Sequence, residues 1–280
     1  MIHIYCDGGL GNRLLAMFSA LYFAKQSNKP FTIHWPSNNW CGCNFWDLFE
    51  PQYNVTNYNL QTVDDIIHNH ALLVHELQIR HKPSRVVINT GMSKDSILQQ
   101  LIHSENVLYY GNSMHSCLTK EDLIPVIQDL KITKSILENI KPYIQNRDAY
   151  FGVHIRGTDF PEQPLITTTQ LHSEMNSNPQ NTYFVCSDQK SIEDSFKLAH
   201  TNVVVLEKSN YVELLDKTKG WNGRIVDDLN RSFNFNVNRN KLSVVEAFCD
   251  MLVLSQTRML KTSNSSFLTC AYIMSKGIKL

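Results

Sequence analysis

The chain reads as an α/β protein of two Rossmann-like halves facing a cleft, residues 1–146 and 147–280. Three observations lead there. Short apolar runs of strand length alternate, in both halves, with stretches whose apolar residues recur at helical spacing. A glycine loop, Gly8-Gly9-Leu10-Gly11, joins the first strand to the first helix. In mid-chain, an apolar strand from Tyr150 to Ile155 runs into Arg156-Gly157-Thr158-Asp159, so that a histidine, an arginine and an aspartate crowd one strand end.

Taken in order, His3 to Cys6 is the first strand. Leu14, Leu15, Phe18, Leu21, Tyr22 and Phe23 mark the helix after the glycine loop, and Asn28-Lys29-Pro30 ends it. Phe31 to Trp35 is the next strand, and the polar, aromatic run from Ser37 to Asp47 is a loop. Leu72 to Leu77, Arg85 to Asn89 and Val107 to Tyr110 are further strand candidates. Thr119 to Tyr143 is mostly helical, with Pro125 and Pro142 as punctuation. Polarity rises at Gln145-Asn146-Arg147-Asp148, which sets the boundary. The second half gives a strand at Thr182 to Cys186 with Ser187-Asp188 at its tip and a helix at Ser191 to Ala199. A strand follows at Asn202 to Leu206, then a polar run from Lys217 to Asn240. An apolar helix covers Leu242 to Ser255, a last strand Arg258 to Lys261, and a final helix follows Thr262-Ser263-Asn264-Ser265-Ser266.

Composition narrows the function. Lys plus Arg and Asp plus Glu both number 26, and the balance holds in each half, so there is no basic stripe for a nucleic-acid backbone or an anionic membrane. The first residues lack the basic flank and apolar core of a signal peptide, and no apolar run is long enough to span a bilayer. Seven cysteines without regular spacing read as free thiols, and the expected compartment is the cytoplasm. Cys41-Gly42-Cys43 lacks the second ligand pair of a structural zinc site, and the histidines form no helix-spaced metal set.

The candidate chemistry sits at strand and helix ends. Arg156 has a donor fork suited to phosphate or carboxylate; alternatively it pairs with Asp159 to tie down a loop. The glycine loop admits an anion at a helix N-terminus, with Asn12 and Arg13 beside it, or simply closes a tight turn. It lacks the third glycine, and the second strand the terminal acid, of a dinucleotide fingerprint. The serines at Ser263, Ser265 and Ser266 cap the last helix or hold phosphate. Glu246 and Asp250 share a helix face, solvated or reading a base; Asp188 caps a helix or binds a ligand.

In combination and order these segments resemble the fucosyltransferase superfamily, which includes the nodulation and α1,6-, protein O- and α1,2-fucosyltransferases. The residues that carry the resemblance are Gly8-Gly9-Leu10-Gly11-Asn12-Arg13-Leu14, His154-Ile155-Arg156-Gly157-Thr158-Asp159 (an HxRxxD element), Phe184-Val185-Cys186-Ser187-Asp188, and Glu246 to Tyr272 with Ser265-Ser266-Phe267. The resemblance implies a GT-B-like fold and an inverting glycosyltransferase that uses GDP-fucose as donor substrate, with no metal and no other cofactor. The expected partners are that donor and a carbohydrate acceptor. It implies that Arg156 binds the diphosphate and stabilises it as it leaves, with Asp159 beside it as a catalytic residue that either orients the arginine or takes the acceptor proton. His154 contacts the nucleotide, Asp250 reads guanine, and Ser265, Ser266 and Phe267 line the phosphate and base pocket. Gly11, Asn12 and Arg13 approach the sugar diphosphate, and Asp188 completes the set. Several relatives have a second arginine where this chain has Gly157. Asp7 and Glu162 are the other candidate bases, and Asp64-Asp65 and Asp227-Asp228 do not make the DxD triplet common at metal-dependent sites. Two alternatives stay open: transfer of another GDP- or UDP-linked sugar, and a non-catalytic nucleotide-binding protein of the same fold.

Overall fold

Ile2–Cys6 (β1) is buried along its whole length, as expected of a parallel strand covered on both faces. The computed structural model describes residues 1–59, 87–88, 92–104, 107–111, 113–145, 149–158, 165–221, 223, 225–226, 232–233, 236–278 and 280. Around β1 lie Phe31–Ser37 (β2), Val55–Asn59 (β3), Val87–Ile88 (β4) and Val107–Gly111 (β5), in the order β3-β2-β1-β5-β4 and all parallel. Ile4 is in register with Ile33 on one side and Tyr109 on the other. Leu10–Ser27 (α1) packs on β1 and β5, with Lys94–His103 (α2) and Lys120–Ile127 (α3) against it. Gly8 takes φ 85°, which lets β1 turn sharply into α1, and Asn28 closes the helix in the left-handed region at φ 50°.

The chain divides into two units, the first being Met1–Thr133 with the tail segment from Lys276, the second Lys134–Ser275. This division falls ahead of Lys134–Ile144 (α4) rather than after it. Residues 128–133 leave the helical path because they pair with residues 48–50: Thr133 N–H donates to Leu48 O at 3.1 Å and Glu50 N–H to Lys131 O at 2.8 Å. The expected single helical stretch is therefore two helices, and Pro125 and Pro142 lie inside them instead of ending them. α4 packs in turn on Lys241–Ser255 (α7) of the second unit.

The second unit holds Tyr150–Ile155 (β6), Thr182–Ser187 (β7), Val203–Val204 (β8) and Arg258–Met259 (β11), parallel and in the order β11-β6-β7-β8. A separate antiparallel pair joins Ile225–Val226 (β9) to Ser232–Phe233 (β10). Alternation sorts the faces of the main sheet. Val153, Tyr183 and Val185 form one core with Leu171 and Met175 of Thr168–Ser177 (α5) and Phe196 of Lys190–Ala199 (α6). The opposite side chains meet α7. Gly152 belongs to that contact: a Cβ there would lie 2.0 Å from Thr257 Oγ1 and 2.6 Å from Leu254 Cδ1. Gly152→Ala is therefore expected to destabilise the protein by about 2–3 kcal/mol, the upper range for overpacking. Chemical denaturation will show it as a lower midpoint at unchanged slope.

The α/β class holds, as two parallel sheets each packed with helices. The expected strand at Asn202 to Leu206 shrinks to β8, while that at Leu72 to Leu77 and most of Arg85 to Asn89 lie outside the described residues. The helix Ser266–Gly277 (α8) follows β11.

Candidate functional site

In the sheet order β11-β6-β7-β8, β6 is the strand whose neighbours connect in opposite directions, and open parallel sheets bind ligands at the carboxyl end beside such a switch. That end carries His154 and Arg156. Thr262, just after β11, donates its hydroxyl to His154 O at 2.6 Å, which fixes the start of α8 against the end of β6. The His154 ring stacks on Phe267 of α8, centroids 4.4 Å apart and planes at 16°. Burial lowers the His154 pKa to about 4, opposed by Asp188 and reinforced by Arg156, so the ring is uncharged at neutral pH. Its Nδ1 is buried and has no hydrogen-bond partner.

Ser265 caps α8: its Oγ accepts from Leu268 N–H at 3.2 Å, and its own N–H donates to Ser263 Oγ at 3.3 Å. The first-turn amides of Ser266 and Phe267 have no acceptor within the helix, and they end beside the strand that carries Arg156. Capping and anion binding are thus compatible here, because different donors serve each.

Arg156 is exposed at the tip of β6. The backbone around it is held by Asp188, whose Oδ1 accepts from Gly157 N–H at 2.7 Å and whose Oδ2 accepts from the Thr158 hydroxyl. Asp188 therefore shapes the arginine loop with both oxygens. A Cβ on Gly157 would lie 2.4 Å from Ile192 Cδ1 and 2.9 Å from Gln189 Cδ, so a second arginine at this position would require both side chains to yield.

Asp250 lies on α7 and is 3% exposed. Its Oδ2 meets Lys208 Nζ at 2.5 Å, and its Oδ1 is buried without a partner. Lys208 is equally buried and donates also to Glu193 Oε1 at 2.6 Å and to Ser187 O at 2.8 Å. Glu193 accepts from Ser187 N–H and from the Tyr211 hydroxyl, each at 2.7 Å. Burial, reinforced by Glu193, pushes the Asp250 carboxyl up to about 7 against the pull of Lys208. Burial works against the Lys208 ammonium, but the two carboxylates hold its pKa above the ordinary lysine range. Glu246, a helical turn before Asp250, is not a solvated face residue: it accepts the backbone N–H of Ser209 and of Asn210, at 3.1 and 2.8 Å.

In the first unit the Arg13 side chain is taken up by the protein's own groups. It is fully buried. Its Nε donates to Gly8 O at 2.6 Å, Nη1 to Pro36 O and Nη2 to Asn38 Oδ1 at 2.9 Å, while its guanidinium lies over Trp35 at 5.4 Å. Gly11 is buried in the first turn of α1, and Asn12 beside it is half-buried. Asp7 accepts from Gly8 N–H at 2.7 Å and from the Tyr110 hydroxyl at 3.0 Å. Asp159, Glu162 and the pairs Asp64-Asp65 and Asp227-Asp228 lie outside the described residues.

The structure thus sets His154, two residues before Arg156, against Phe267 of α8, whose start Ser265 caps, with Asp188 supporting the arginine loop and Asp250 in the Lys208–Glu193 network. Thr262, Glu193 and Lys208 were not singled out by sequence. Only Thr262, in the polar run before a predicted helix, carried a signal. Among the described residues, no three His, Cys, Asp or Glu side chains assemble as a metal site, and no helix is long and apolar enough to cross a membrane.

No family model matches the chain, and no curated protein does. Solved structures match over nearly its whole length. The fucosyltransferase NodZ from Bradyrhizobium has a TM-score of 0.56 at 14% identity, over 97% of this chain and 92% of that one. NodZ α-1,6-fucosyltransferase soaked with GDP-fucose gives 0.55 at 13%, over 99% and 96%. A variant of Arabidopsis thaliana FUT1 in complex with GDP gives 0.50 at 10%, over 99% and 68%. At such identities the shared property is the fold: this chain has the α/β fold of these fucosyltransferase structures.

Proposed function

We propose that the chain is a glycosyltransferase that takes fucose from GDP-fucose and passes it, with inversion and without a metal, to a carbohydrate acceptor. The observation that carries this reading is the convergence of Arg156, the α8 N-terminus and the stacked His154–Phe267 pair at the switch point of one parallel sheet. GDP-fucose soaked into NodZ and GDP in complex with FUT1 support the donor class.

The roles follow from charge and geometry. As the glycosidic bond breaks, negative charge grows on the leaving diphosphate, and a fixed guanidinium with helix N-terminal amides favours that state over the ground state. Arg156, with Ser266 and Phe267 N–H, supplies these donors. Neutral His154 offers Nδ1, a buried ring nitrogen in need of a partner, to the nucleotide. Asp250 offers Oδ1 to the N–H edge of guanine. Ser265 and Asp188 keep α8 and the arginine loop in place. Asp159 stays in this proposal as the residue that orients Arg156. Seven cysteines without regular spacing support a reducing compartment such as the cytoplasm.

A thermal-shift panel of GDP, GDP-fucose, UDP and UDP-sugars, each with and without EDTA, tests the reading. GDP compounds are expected to stabilise the protein by about 2.7 kcal/mol at a hundredfold excess over Kd, with or without EDTA. A shift with UDP compounds alone, or one abolished by EDTA, would reassign the donor or the metal independence. GDP binding without GDP release from GDP-fucose in the presence of glycan acceptors would favour the non-catalytic alternative.

A further inference from the structure

Lys208 occupies an unusual position. Its three N–H bonds are all engaged, at 2.5 Å with Asp250, 2.6 Å with Glu193 and 2.8 Å with Ser187 O, and its side chain is 3% exposed. Ser187 is the last residue of β7, directly before the aspartate that holds the arginine loop. One ammonium therefore joins a helix carboxylate on α7, a helix carboxylate on α6 and the strand end at the candidate site. Two buried carboxylates share this one cation, and of the two only Asp250 has an oxygen without a partner.

We propose that Lys208 is a positioning residue that fixes the charge state and orientation of Asp250, and so sets how strongly the site prefers guanine over other bases. The inference rests on the reading of Asp250 as the base-contacting group. A guanine edge presents two N–H donors, which an ionised carboxylate accepts and a protonated one accepts poorly. Taking the cation away leaves Asp250 and Glu193 facing each other in low dielectric, where two carboxylates cannot both ionise. Taking Glu193's charge away leaves Asp250 paired with Lys208 alone and ionised to lower pH. The other groups facing Asp250 are Glu246 and the Cys249 thiol on its own helix and the Cys186 thiol from β7, with Tyr211 behind Glu193; burial raises the Cys249 pKa and keeps that thiol neutral. The Cys186 thiol is held well above its ordinary pKa by burial and stays neutral, as does the Tyr211 hydroxyl. Glu246 is unchanged in every variant, so the Glu193–Lys208 pair is the adjustable part.

The test measures Kd for GDP and for UDP by calorimetry from pH 5.5 to 8.5 and follows their ratio, in which the titration of the shared diphosphate cancels. In the wild type the preference for GDP is expected to grow as pH rises through about 7. Glu193→Gln should move that rise to lower pH. Lys208→Met should lower the preference at pH 7 by at least about tenfold, one pKa unit of displacement, with recovery at higher pH, and Lys208→Arg should restore part of it. Should Lys208→Met fail to fold, Glu193→Gln decides alone. A wild-type protein that binds GDP and UDP equally would sink the base-reading role of Asp250 itself. A clear GDP preference whose pH midpoint is the same in the wild type and Glu193→Gln would overturn the role of Lys208 and leave the base reading standing.

Discussion

Arg156→Ala is expected to lower kcat by about 10²- to 10³-fold, the usual cost of removing one preorganised donor from a developing anion. The fold should barely notice. Arg156 is exposed, and the loop around it is held through Gly157 N–H and the Thr158 hydroxyl by Asp188, with no need of the arginine side chain. Surface changes of this kind stay within about 0.5 kcal/mol of wild-type stability. The kinetic loss should fall mainly on kcat, because the guanidinium binds the diphosphate more strongly as its charge grows than in the intact donor. Arg156→Lys keeps a positive charge without the planar fork and should recover only part of the rate. Donor turnover measured as GDP release, alongside the melting temperature, separates the outcomes. A variant that keeps most of its turnover would remove Arg156 from the chemistry.

The strand that carries Arg156 was legible because parallel strands covered on both faces read as unbroken apolar runs; β1, β6 and β7 are of this kind. α5 was not, since only Leu171 and Met175 mark its buried side, although Thr167 and Gln170 form the capping box that announces its start. Asp188 next to the arginine loop follows from pairing β6 with β7, which sets Ile155 against Ser187. The Glu193–Lys208–Asp250 cluster follows from no spacing rule: its members come from two helices and a loop, and the loop leaves a strand of only two residues. A purely local reading also cannot tell an arginine that meets a ligand from one that meets a carbonyl. Arg13 shows this most plainly, because an arginine in the first turn of a helix after a glycine loop has the right company for an anion, and only the return of β2 reveals its partners.

Arg13→Ala should therefore act on stability rather than on donor affinity. The substitution leaves Gly8 O and Pro36 O without this donor, takes one of three donors from Asn38 Oδ1, and opens a void over Trp35. Hydrogen bonds from a charged group contribute roughly 1.5–3 kcal/mol each and are not additive, which suggests a total loss of about 3–5 kcal/mol. That corresponds to a fall in Tm on the order of 10 °C. Asn38 is pinned from several directions: its side chain also accepts from Trp40 N–H and Cys41 N–H, and its backbone pairs with Cys41 in both directions. Loss of Arg13 should thus loosen the segment after β2 together with the Gly8 turn, and hydrogen exchange should quicken at Trp40 and Cys41. Arg13→Lys retains the charge but cannot span three acceptors in one plane, so it should fall between the two. Below the unfolding transition, GDP affinity should remain that of the wild type. The reverse pattern, weakened GDP binding at an unchanged Tm, would return Arg13 to the ligand and contradict the hydrogen bonds that now occupy its three nitrogens.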